Sequence, residues 1–130
     1  MRRIETLALT AISLLAGIGT TAAQDVDAGE QSFRKCFPCH RIGPGAKNLV
    51  GPVLNGLDGR HSGSVEGYNY SEANKKADIT WNEESFKVYI ENPMKRVPGT
   101  KMAFPGIKDP KEIANLWAYI KQFKADGSKK

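Results

Sequence analysis

The chain is poor in the residues that most often carry enzymatic or metal chemistry. Among 130 residues it has two cysteines and two histidines, and only 8% are aromatic. Two histidines and two cysteines supply too few ligands for a structural zinc site alongside any other role, because such sites take four. No run of five or more Lys or Arg occurs, and no recognition-helix or RNA-binding motif is present, which excludes a dedicated nucleic-acid binder. No apolar stretch reaches the roughly 20 residues that a membrane-spanning helix requires. Internal repeats, low-complexity segments and interdomain linkers are absent, and no alternating pattern long enough for a useful strand appears.

What is there begins with a leader. Arg2 and Arg3 form a basic start, Leu7 to Ile18 an apolar core, and Thr21-Ala22-Ala23 a small-residue cleavage site before Gln24. Residues 1–23 are read as a secretory signal peptide and residues 24–130 as one compact domain, placed in the periplasm. The leader carries Arg2, Arg3 and Glu5, a net +1 of the chain's +5, so the exported part keeps +4. That modest surplus suits acidic partner surfaces or anionic headgroups.

Both cysteines fall in one pentapeptide, Cys36-Phe37-Pro38-Cys39-His40. A Cys-x-x-Cys-His run is the attachment signature of c-type haem: two thiols on one helical turn each form a thioether, and the next imidazole reaches the iron. A thioredoxin-like pair would need a βαβ pattern, which is missing. A zinc site would need two more ligands, and only His61 remains. Haem is therefore preferred to a disulfide or zinc. Covalent attachment through Cys36 and Cys39 also belongs in an exported protein. His61, Met94 and Met102 are the candidates for the other face of the iron. Met102 sits in a loop bounded by Pro98-Gly99 and Pro105-Gly106, which can deliver a side chain free of helical constraint, and that context favours it.

The element pattern reads as all-α. A capping box from Asp27 to Glu30 predicts a first helix, with Val26, Phe33 and Phe37 as its apolar contacts. Residues 41–70 are glycine-rich and contain Pro44 and Pro52, predicting a long irregular loop of functional kind. Ser71 to Ala77 suits a short helix, and Asn82 opens another that Pro93 limits. The last helix is the clearest. Asp109 caps it, Pro110 occupies its first position, Glu112 completes a capping box, and Ile113, Leu116, Trp117, Ile120 and Phe123 share one face. So little apolar area implies that the haem itself supplies the hydrophobic centre and that the apo form is largely unfolded.

The chain resembles the class I c-type cytochromes, especially mitochondrial cytochrome c and bacterial cytochrome c2. Cys36-Phe37-Pro38-Cys39-His40, Gly51-Pro52-Val53-Leu54, Gly59-Arg60, Tyr68-Asn69-Tyr70-Ser71, Ile79-Thr80-Trp81, Tyr89-Ile90-Glu91-Asn92-Pro93 and Pro98-Gly99-Thr100-Lys101-Met102 carry the resemblance. It covers essentially residues 24–130. It implies a cytochrome c fold around one haem c, with His40 and Met102 as the axial pair. Pro52 would accept a hydrogen bond from the His40 ring. Arg60, Tyr70 and Trp81 would hold the propionates. Asn74, Tyr89 and Thr100 would form a polar network beside the methionine, and Phe104 would cover the haem edge. The implied activity is electron transport by a monomer, not enzymatic catalysis. It would run between a quinol-cytochrome c reductase and cytochrome c oxidase, in a respiratory chain, or a reaction centre, in photosynthesis. Lys35, Lys47, Lys95, Lys101 and Lys108 match docking positions, whereas Met94, Asp109 and Glu30 stand where the family has lysines. A peroxidase-like or oxygen-reactive protein with a labile sixth ligand is the competing function.

Overall fold

The computed structural model describes residues 24–130, together with the isolated Ser13; the leader expected at 1–23 lies outside the described residues. Five helices follow in order: α1 Val26–Phe33, α2 Glu72–Lys76, α3 Glu83–Glu91, α4 Pro93–Arg96 and α5 Pro110–Ile120. Pairing of β type among the described residues is confined to two isolated bridges, His61 with Thr80 and Phe123 with Lys129. The all-α reading holds.

Local chemistry sets the helix boundaries, and some differ from expectation. Helix α1 starts two residues early because Asp25, not Asp27, caps it, its carboxylate accepting from the Ala28 amide at 3.0 Å. Asn82 caps α3 with Ser85 as the reciprocal partner, both bonds at 2.9 Å. Pro93 does not merely end α3. Asn92 closes that helix and caps the short α4, where Pro93 takes the first position and needs no donor. Asp109 caps α5 as expected, but Glu112 completes no box. Its carboxylate instead accepts from Ser32 Oγ and Lys35 Nζ, each at 2.5 Å, so the acid ties α5 to α1 and the turn after it.

Helix α5 is the spine. Ile113, Leu116, Trp117 and Ile120 are all buried, as their spacing requires, and Leu116 and Ile120 are among the most completely enclosed side chains. Each such side chain contributes about 1.5–3 kcal/mol relative to exposure. Helix α1 crosses it at Gly29, where a Cβ would stand 2.7 Å from the Asn115 carbonyl carbon and 2.8 Å from Tyr119 Cβ. Only a glycine allows that approach. Phe33 stacks on Tyr119 (centroids 5.5 Å apart), the Asp25 amide donates to Asn115 Oδ1 at 2.9 Å, and Phe86 of α3 meets Trp117 at 5.2 Å.

The glycine-rich loop 41–70 is held by side-chain amides rather than by a core of its own. Asn55, buried, takes the Gly43 amide at 2.7 Å and returns a bond to the Gly43 carbonyl at 2.9 Å. Asn48 accepts from the Val53 amide at 2.9 Å and donates to the Glu66 carbonyl at 3.2 Å. Buried backbone groups in irregular segments need such partners. Residues of this loop, of α3 and of the 100–104 segment together line a cavity.

Candidate haem site

The cavity measures about 270 Å³, and both cysteines, His40 and Met102 line it. Its apolar wall includes Leu54, Leu57, Phe86, Ile90 and Ile120. Leu57, Phe86, Ile90 and Ile120 are also core residues, so the hydrophobic core is built around this space rather than beside it.

The Cys36–His40 turn follows α1 directly, with the His40 amide bonded to the Cys36 carbonyl at 2.9 Å. Cys36 is buried, Cys39 is exposed, and neither forms a disulfide. Burial pushes the Cys36 thiol up to about 11, with the neighbouring Cys39 adding to the effect. A thiol held neutral in this way is a poor thiolate for a redox pair. The imidazole of His40 is fixed on two sides. Its Nδ1 lies 2.7 Å from the Pro52 carbonyl oxygen, to which it donates. A Cβ at Gly51 would stand 2.7 Å from Nδ1 and 2.8 Å from Nε2, so the glycine's bare backbone is packed against the ring. Burial lowers the affinity of His40 for a second proton; the Pro52 bond opposes that and the Arg60 charge adds to it. The ring is thus a neutral tautomer with Nε2 unprotonated, the form that ligates a metal.

Met102 reaches the cavity from the loop after α4. Its Sδ accepts from the Tyr89 hydroxyl at 3.3 Å, its amide is bonded to Thr100 Oγ1 at 3.2 Å, and Tyr89 and Thr100 approach within 3.5 Å. Burial raises the Tyr89 phenol, while hydrogen bonds with Thr100 and Asn74 pull it back. Asn74 is in turn set by Ser71, whose hydroxyl donates to Asn74 Oδ1 at 2.8 Å. These three expected partners of the methionine are therefore together, and all line the cavity. Phe104 lines it also and is half-buried.

Arg60, Tyr70 and Trp81 line the same space. The Trp81 amide donates to the Arg60 carbonyl at 2.9 Å, which joins the loop to the strand-like turn before α3. Trp81 meets Tyr89 edge-on at 5.0 Å. Arg60 Nη1 donates to the Val53 carbonyl at 2.8 Å and the Asn55 carbonyl at 3.2 Å. Burial makes its guanidinium easier to deprotonate than usual, opposed by Tyr70. Tyr70 does not turn its hydroxyl wholly to the cavity, since that oxygen accepts from the Val65 amide at 3.0 Å. A half-buried cation without a carboxylate partner among the described residues suits an acidic group brought by a ligand.

The other distal candidates are elsewhere. His61 is exposed and paired with Asp78 at 2.9 Å, and Met94 is 52% exposed on α4. Phe37, expected to pack against α1, is 53% exposed instead, because the turn after α1 swings its side chain outward. Gly51 and the apolar wall were not singled out as site residues by sequence reasoning. The Gly51-Pro52 dipeptide and the spacing of Phe86 and Ile90 on α3 were the available signals.

A free pair of thiols, a neutral imidazole, a thioether and an apolar enclosure with one half-buried cation form a donor set that fits a covalently held haem. The family model for cytochrome c matches residues 26–124. The chain is 61% identical to cytochrome c2 of Blastochloris viridis over 117 residues, covering 90% of this chain and 92% of that protein. It is 61% identical to cytochrome c-550 of Nitrobacter winogradskyi over 106 residues (82% and 97%), and 50% identical to cytochrome c of Cannabis sativa over 99 residues (75% and 89%). Among solved structures, cytochrome cH from Methylobacterium extorquens superposes with a TM-score of 0.70 at 45% identity, covering 75% of this chain and 97% of that one. The chain belongs to the cytochrome c family of class I c-type cytochromes, electron carriers rather than enzymes, and as such binds one haem c covalently.

Proposed function

We propose that this protein is a periplasmic electron shuttle whose haem is attached through Cys36 and Cys39 and ligated by His40 and Met102. The observation that carries the reading is the convergence of a fixed, neutral His40 ring and the Met102 thioether on one apolar cavity. The bound haem supplies a one-electron Fe(III)/Fe(II) couple, and a thioether ligand favours the reduced form. The chain does the rest. Pro52 and Gly51 hold the imidazole in one orientation, and Tyr89 with Thr100 holds the thioether, so neither ligand reorganises much between oxidation states. The apolar wall would keep water from the metal, Arg60, Tyr70 and Trp81 would hold the propionates, and Phe104 would cover the haem edge.

Electron exchange then takes place at the surface. Residues 1–23 direct export and are removed. The carrier accepts from a quinol-cytochrome c reductase and donates to a terminal oxidase or a photosynthetic reaction centre. Lys35, Lys47, Lys95, Lys101 and Lys108 face acidic docking surfaces. Their pull is weaker than a full ring of lysines, since Glu112 pairs with Lys35 and since Met94, Asp109 and Glu30 stand where the family has lysines.

Optical spectroscopy of the ferric protein tests this. A sulfur-to-iron charge-transfer band is expected in the wild type and absent from Met102→Ala, with Met94→Ala and His61→Asn unaffected. A wild type that lacks the band and binds cyanide rapidly has an open iron position, which would point to peroxidase-like chemistry.

A further inference from the structure

We propose that the stacked Phe37–Arg41 pair, on the outer side of the haem-attachment turn, is a docking anchor for an acidic, apolar-centred face of a redox partner protein. The inference rests on the electron-shuttle reading and names a specificity determinant for it.

A single exposed aromatic is ordinary. This one is held in place. The Arg41 guanidinium carbon lies 3.9 Å from the centre of the Phe37 ring, and Arg41 Nη1 donates to the Phe37 carbonyl and, at 3.1 Å, to the His40 carbonyl. The ring and the guanidinium are thus ordered before any partner arrives, which lowers the entropy lost on docking. Arg41 has no acidic partner among the described residues, so its charge is left for something outside the chain.

The neighbourhood points the same way. Leu49 is 47% exposed, whereas Val50 lines the haem cavity, and their loop is tied to the same corner by the Gly51 amide, 2.7 Å from the Cys39 carbonyl. Phe37 and Leu49, two of the large apolar side chains exposed among the described residues, therefore belong to the segments meeting at Cys39. From Gln31 to Leu57 the sequence has no Asp or Glu, but has Arg34, Lys35, Arg41 and Lys47. Glu112 pairs with Lys35, but Arg34, Arg41 and Lys47 have no acidic partner among the described residues, and an apolar centre flanked by these cations complements an acidic surface with an apolar middle. Aromatic and Arg residues are the ones that most often dominate interface energetics. A rigid ring–guanidinium stack suits a shaped protein surface better than a fluid sheet of headgroups, which flexible lysines serve equally well.

The test uses the intact holoprotein, reduced, with three oxidants: purified bacterial cytochrome c oxidase, purified photosynthetic reaction centre, and ferricyanide. Phe37→Ala and Arg41→Gln are expected to raise KM for at least one of the two protein acceptors by about fivefold or more. Their kcat, reduction potential and ferricyanide rate should match the wild type. Arg41→Lys keeps the charge but loses the stack, and should fall between wild type and Arg41→Gln. Val88→Ser, at an equally exposed apolar position on α3, should change nothing. The proposal is overturned if KM is unchanged in Phe37→Ala for both protein acceptors. It is also overturned if the potential or the ferricyanide rate moves as much as KM, or if the variants alter only binding to vesicles of anionic phospholipid. A wild type oxidised by neither protein acceptor would instead refute the shuttle reading, and the anchor with it.

Discussion

Replacing Gly29 with alanine tests the tightest contact in the fold. Helix propensity alone predicts a gain, since alanine is better than glycine by about 1 kcal/mol inside a helix. The structure predicts the opposite. The added methyl would lie 2.7 Å from the Asn115 carbonyl carbon and 2.8 Å from Tyr119 Cβ, with the Asn115 carbonyl oxygen closer still. Two of those three atoms are backbone of α5, which cannot rotate away, so the helices must separate. Overpacking of this kind costs about 1–3 kcal/mol by itself. Separation also stretches the bond from the Asp25 amide to Asn115 Oδ1 and the Ser32–Glu112 bond, each worth about 1 kcal/mol. The opposing effects leave a net loss of about 2–4 kcal/mol, which for a domain of this size lowers Tm by roughly 8 °C or more. Guanidinium denaturation of the holoprotein, read by far-UV circular dichroism and by tryptophan emission, measures it directly. An alanine variant as stable as the wild type would mean that α1 and α5 are not in backbone contact, and the account of the α1–α5 crossing would be wrong.

Two further outcomes are expected. Glu112→Gln should destabilise by about 1 kcal/mol at neutral pH, the figure being modest because Lys35 is half exposed. Hydrogen bonds from Lys35 and then Ser32 hold the Glu112 carboxyl below its usual value. Its contribution is therefore complete above the unfolded carboxylate range and lost as pH falls through the depressed folded value. The stability gap between wild type and variant should close in acid, and a gap that persists there would refute the assignment. Asp78 holds a left-handed backbone (φ 52°) that a glycine adopts without cost, and its ion pair with His61 is exposed. Asp78→Gly should change stability by no more than about 1 kcal/mol in either direction; a larger loss on thermal melting would show that the His61 pair matters more than its exposure allows.

The parts of the site that were legible in the sequence are those whose chemistry is local. Cys36, Cys39 and His40 sit on one turn, so their joint role needs no knowledge of the fold. Helix α5 was equally legible, because its apolar stripe and its Asp109-Pro110 start are local properties. Boundaries were less so where two caps competed. Asp25 and Asp27 are both competent, and Asn115 on α5 decides between them by holding the Asp25 amide. Glu112 looked like a capping residue until Ser32 and Lys35, distant in sequence, offered it stronger partners. Phe37 was misread for a similar reason: hydrophobicity argues for burial, but the direction of the turn after α1 points it to solvent.

Sequence alone determined that the two cysteines and His40 act together, that the chain is helical, and that no second metal site competes for them. Those conclusions rest on covalent spacing and on periodicity, which operate over a few residues. The loop around Met102 and the family resemblance already favoured it over His61 and Met94, but only the tertiary structure shows how it comes to share the cavity with His40, because that depends on how α4, the loop after it and Tyr89 fold back across the molecule. It also decided that a bare glycine at position 51 braces the imidazole and that Arg41 braces an exposed Phe37. Contacts between segments far apart in the chain arise from packing, and no local pattern encodes them.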